Sequence, residues 1–97
     1  MSRKAYILTF DRDDMLNYKE IHDKIISLPD LTNWFHYIKS SYILITTAQS
    51  ASILSGKIKP FMPDKRFLVV ELNLNNRNGW LPNDAWDWIR KQTSRTN

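Results

Sequence analysis

Hydrophobic and polar positions alternate along four short runs of this chain, and between them recur at helical spacing. Residues 4–10 (KAYILTF) are rich in β-branched and aromatic side chains and close on Asp11, which predicts a first strand. Asp13 or Asp14 then offers a side-chain oxygen to the unpaired N–H groups of a helix start. Met15, Tyr18, Ile21, Ile25 and Leu28 follow at helical spacing, with Lys19, Glu20, Asp23 and Lys24 outside the stripe. Pro29-Asp30 closes that helix. Runs 32–38 (TNWFHYI) and 42–47 (YILITT) flank Lys39-Ser40-Ser41 and read as a hairpin. Ser50 is placed to cap a second helix carrying Ala51, Leu54, Ile58 and Phe61, weakened by Gly56 and ended by Pro60 and Pro63. Run 66–72 (RFLVVEL) is the fourth strand, followed by a polar loop and a short helix with Trp86, Trp88 and Ile89.

This order predicts one α+β domain over residues 1–97, of the ferredoxin-like βαββαβ type. It has a four-stranded antiparallel sheet, two helices on one face and a Trp-rich tail over 72–97. Splitting the strands by face sets Ala5, Ile7 and Thr9 against Tyr6, Leu8 and Phe10, and Leu68, Val70 and Leu72 against Phe67, Val69 and Glu71. The third strand sets Ile43 and Ile45 against Tyr42 and Leu44. The two helices cover one face only. Tyr6, Leu8, Phe10, Tyr42, Leu44, Phe67 and Val69 are therefore expected on an open face, a patch too apolar to leave wet. A second copy, the folded-back tail or stacked single-stranded nucleic acid would cover it. The run SYILITTA lacks the Arg/Lys-Gly-Phe type of motif found in RNA-recognition sheets, which favours protein, and a homodimer through the open face.

The chain has 97 residues and no cysteine, which excludes a disulfide framework, a zinc knuckle and a thiol nucleophile. Nothing approaches the roughly 20 apolar residues of a membrane span. No targeting segment is read at the N-terminus, so a cytoplasmic protein is expected. The net charge of +4 raises the prior for a polyanionic partner. Basic residues bunch at Lys57, Lys59, Lys65 and Arg66 and at Arg90, Lys91 and Arg95, a pattern also typical of a solvated face.

Asp11, Asp13 and Asp14 are the densest carboxylate group and sit where a strand ends. Carboxylates there suit Mg²⁺ or Mn²⁺ and a metal-activated water, or else cap the helix and shape the turn. One Asp per chain makes a poor metal site, which two-fold symmetry would double. His36, among aromatic neighbours, is a general base or a packed strand residue with one satisfied nitrogen. His22 reads as surface. Ser40 and Ser41 have no His-Asp arrangement beside them, and Gly56 and Gly79 alone cannot build a phosphate loop. Trp80, Arg77, Lys65 and Arg66 are the candidate binding residues, with Trp80, Trp86 and Trp88 able to grip a base or peptide or to enter the core.

The segments YILTFD, NWFHYIKSSYILITT and GWLPNDAWDWI resemble the small bacterial and phage proteins labelled SinR-like, over nearly the whole chain. The layout is more distantly similar to the CRISPR-associated Cas-two family and the VapD ribonucleases. That resemblance implies a ferredoxin-fold homodimer that binds nucleic acid, with Asp11 near the two-fold axis as the metal and catalytic carboxylate of a nuclease. The Arg-rich first helix and the hairpin signature of the Cas-two family are missing here. The competing expectation is a non-catalytic interaction or regulatory protein, antitoxin-like or phage-encoded, whose Trp-rich tail and loop 73–80 engage a protein or small ligand.

Overall fold

The computed structural model describes residues 3–11, 17–62 and 65–93. The elements are β1 (Lys4–Phe10), α1 (Tyr18–Ile26), β2 (Leu31–Ile38), β3 (Ser41–Thr46), α2 (Ala51–Ile58), β4 (Phe67–Leu72) and α3 (Asn83–Thr93). A 3₁₀ turn, Lys59–Phe61, extends α2 through Pro60. Asp13, Asp14, Met15, Pro63 and Arg95 lie outside the described residues. The cap of α1 is instead Asn17, whose extended backbone (φ −82°, ψ 90°) leaves Oδ1 free to accept from the Glu20 N–H at 3.1 Å. Helix α1 stops at Ser27, yet Leu28 still turns inward and is buried. Ser50 caps α2 as the sequence predicts, accepting from the Ile53 N–H at 3.1 Å.

The strands stand in the order β2-β3-β1-β4, each antiparallel to its neighbour. The connection through α1 passes over β3, and that through α2 passes over β1. This mixed α+β architecture, an open four-stranded antiparallel sheet with three helices, is consistent with a ferredoxin-like arrangement.

The faces are exchanged relative to the sequence expectation. Tyr6, Leu8, Phe10, Tyr42 and Leu44 are buried against Ile21, Ile25, Leu28, Leu54, Ile58 and Met62, with Phe67 and Val69 packed at the margin. The set expected to be open is thus the main core. Alternation divides each strand into two sets but does not say which set faces the crossover helices. Here the bulkier set does, leaving the smaller Ala5 and Thr9 on the reverse. Burying one such Leu or Ile is worth about 1.5–3 kcal/mol. Polar groups at the margin are paired: the Tyr6 hydroxyl donates to the Ala48 carbonyl at 2.9 Å, and buried Thr46 donates to the Asp30 carbonyl at 3.0 Å.

Helix α3 folds across the reverse face. Ala85 and Ile89 bury against Phe35 and Ile43, while Trp88 reaches the Ala5, Ile45 and Leu74 cluster. The Phe35 and Trp88 rings lie 5.1 Å apart, and Trp88 Nε1 donates to Asn33 Oδ1 at 3.3 Å. The Tyr37 hydroxyl donates to the Asp84 carboxylate at the start of α3. The tail therefore covers half of this face. The other half keeps Ile38, Leu68 and Val70 at 59%, 58% and 43% exposure.

Candidate functional site

The uncovered half of the sheet is organised by register. Ile38 pairs with Ser41, Ser41 with Thr9, and Thr9 with Leu68, so one row of residues crosses all four strands. Ser41 Oγ donates to Thr9 Oγ1 at 3.1 Å, which satisfies these hydroxyls in the middle of an aliphatic shelf. Behind it runs the row Phe35, Ile43, Ile7 and Val70. A pocket of about 100 Å³, lined by Ile7, Phe35, Ile38, Ser41, Tyr42, Ile43 and Leu81, opens onto the shelf.

At the β2 end the shelf meets a groove of about 480 Å³ between Tyr37, Ile38, Trp80, Leu81, Pro82 and Asn83. Trp80 is 97% exposed, so the expectation that it joins Trp86 in the core is corrected. The physical cause is local. Helix α3 starts at Asn83, just past Pro82, with Ala85 and Ile89 as the buried face, and Leu81 takes the inward position ahead of the helix. Arg77 does not reach this groove. Its Nη1 donates to the Leu74 carbonyl at 2.8 Å and closes the loop on itself.

At the β4 end the shelf meets a second, shallow groove of about 270 Å³ lined by Thr9, Phe10, Asp11, Arg66, Phe67 and Leu68. Asp11 and Arg66 are bound twice: the Asp11 N–H donates to the Arg66 carbonyl at 3.0 Å, and Arg66 Nε donates to Asp11 Oδ2 at 2.7 Å. The carboxylate also holds the Arg66 guanidinium above its ordinary basicity. A cation at Asp11 would have to displace or share with Arg66. No group of three or more His, Asp or Glu side chains converges among the described residues. Lys65, expected alongside as a binding residue, is half-buried, and its N–H donates to the Met62 carbonyl at 3.4 Å.

His36 lies on the opposite face from the shelf and does not meet Asp11. Its ring stacks on Tyr42 at 3.9 Å and 9°, and Nε2 donates to the Lys39 carbonyl at 2.8 Å, which fixes the proton on that nitrogen. The packed-residue reading is the one this geometry matches. His22, expected at the surface, is half-buried: its Nδ1 and the Tyr42 hydroxyl share a 2.6 Å hydrogen bond, and Trp34 packs edge-on at 5.0 Å. Its position four residues after Tyr18 and three before Ile25 was the available signal. Burial pushes the Tyr42 phenol up to about 12, so it remains a donor at neutral pH.

Set against protein-family models, curated proteins and solved structures, the chain matches none. No helix among the described residues is long and apolar enough to cross a membrane.

Proposed function

We propose that this chain is a non-catalytic protein-binding module of the ferredoxin-like plait type. Its working surface is the shelf of Ile7, Ile38, Leu68 and Val70 with Trp80 at its head. The exposure of Trp80 carries this reading. A tryptophan left almost wholly in water beside an apolar groove is the side chain that most often anchors a protein interface. The shelf itself is aliphatic, which suits an apolar polypeptide segment better than bases, whose binding relies on stacking rings and a basic track. The antitoxin-like or phage-encoded role fits the same surface. The test is a peptide-display selection on the intact protein, followed by affinity measurement. Selected peptides should share aliphatic or aromatic anchors and lose at least tenfold in affinity on Trp80→Ala, corresponding to about 1.4 kcal/mol or more. Equal affinity for Trp80→Ala would end this reading.

A second reading rests on the Asp11–Arg66 groove: a SinR-like, Cas-two-like cytoplasmic homodimer that binds nucleic acid and cleaves it with Mg²⁺ or Mn²⁺ at Asp11. The placement of Asp11 at a strand end, beside a guanidinium able to hold a phosphate, supports it. Metal-dependent cleavage that Asp11→Asn abolishes, together with binding that falls steeply with salt, would establish it.

A further inference from the structure

The Trp80 groove owes its shape to an irregular strand. Straight alternation would set Tyr37 and Ile38 on opposite faces of β2, but the register slips between Phe35 and Ile38, and both residues line the groove. The Tyr37 ring packs on Phe35 with 4.7 Å between centres, and its hydroxyl donates to Oδ2 of Asp84 in the first turn of α3. That hydrogen bond also holds the Tyr37 phenol above its ordinary pKa, so it stays a donor at neutral pH. One wall of the groove is thereby fixed to a carboxylate.

The charge at this wall is uncompensated. Asp11, Asp23, Asp30, Glu71 and Asp87 each pair with a lysine or arginine, whereas no such cation pairs with Asp84 among the described residues. Arg90 is held by Asp87, and Arg77 closes on the Leu74 carbonyl. Lys39 Nζ lies 4.9 Å from the centre of the Tyr18 ring, on the helix-covered face. A carboxylate accepts several hydrogen bonds, and Tyr37 uses one oxygen of Asp84. An exposed indole, an aliphatic floor of Ile38 and Leu81, and an unmatched negative charge therefore meet at one groove.

We infer, resting on the reading of the Trp80 groove as a protein-binding surface, that it takes an arginine side chain of the partner polypeptide. The guanidinium stacks on the Trp80 indole and donates to Asp84, while an aliphatic neighbour sits on Ile38 and Leu81. Arginine suits this arrangement better than lysine, because its planar, weakly hydrated head can stack and donate at the same time. The net charge of +4 does not prevent this: remote charges are screened beyond about 8 Å at physiological ionic strength, and a carboxylate in contact is screened much less.

Peptides selected by display on the intact protein should carry arginine beside an aliphatic residue in most clones. In the tightest of them, citrulline in place of arginine keeps the shape, removes the charge and should cost about tenfold in affinity; lysine should cost about threefold. Asp84→Asn, an isosteric change at an exposed position, should erase the difference between the arginine and citrulline peptides. Tyr37→Phe removes the hydroxyl, leaves the carboxylate and should keep that difference. Selected peptides that lack arginine yet still depend on Trp80, or citrulline peptides that bind equally well, would overturn the arginine site and leave the protein-binding surface standing. Arginine preference that survives Asp84→Asn, or that Tyr37→Phe also erases, would overturn contact between the cation and Asp84. Binding indifferent to Trp80→Ala would remove the surface itself, and the arginine site with it.

Discussion

Leu8 and Leu68 sit on neighbouring strands and on opposite faces of one sheet. Leu8 is wholly buried beneath α1 and α2, whereas Leu68 is 58% exposed beyond the reach of α3. The two faces have similar aliphatic content, so hydrophobicity alone does not decide which is interior. Coverage does. Two helices tied into the strand order bury the middle of the first face and leave Trp34 at its margin 37% exposed, while a single helix entering through a loop covers only half of the second. What remains is a shelf ending in the Trp80 groove on one side and the Asp11–Arg66 groove on the other.

The largest effect should come from truncation on the two faces. Leu8→Ala should destabilise the protein by about 2–5 kcal/mol in chemical denaturation, through lost transfer energy and the cavity left behind. Leu68→Ala should stay within about 0.5 kcal/mol, as surface substitutions usually do. Comparable losses at both positions would mean that the shelf is covered in the isolated protein.

Alkaline titration separates the faces less strongly. The Tyr42 phenol on the helix-covered face is held at about 12, against an ordinary value of 10.0. The unfolded chain therefore gives up this proton first. The stabilisation is fully present below pH 10 and is lost as pH rises toward 12, by about 2–3 kcal/mol at most. Tyr6, on the same face, is raised by burial and by Glu71 and acts in the same direction. Tyr42→Phe should flatten, without abolishing, the fall in denaturation midpoint between pH 10 and 12. An unchanged slope would show that Tyr42 is not sealed from water.

The smallest effect is expected at the rim. Arg66 is largely exposed and Asp11 partly so, hence Asp11→Asn should cost less than about 1 kcal/mol, and less still in high salt. A larger loss would make this pair a structural clamp.

Much of the fold was legible. The strand alternation, the Ser50 cap and the stripe from Tyr18 to Leu28 each follow from local chemistry, and each recurs in the structure within a residue or two. The identity of the inner face was harder, because it depends on how the crossovers wrap, although the bulk of Tyr6, Leu8 and Phe10 against Ala5 and Thr9 favoured it. The site was legible only in pieces. Asp11 and Arg66 are 55 positions apart, and their pairing comes from β1–β4 register, which no local pattern encodes. The link between His22 and Tyr42 likewise joins α1 to β3. Trp80 was singled out as a residue, but its exposure depends on where α3 starts.

The division between a structural face and a binding face is tested most directly by methyl NMR of the Ile, Leu and Val side chains during titration with a selected peptide. Shifts should concentrate at Ile7, Ile38, Leu68, Val70 and Leu81, together with the Trp80 indole N–H, while Leu8, Leu44 and Leu54 stay still. Shifts centred on the helix-covered face, or confined to the surroundings of Asp11 with Trp80 unmoved, would contradict it.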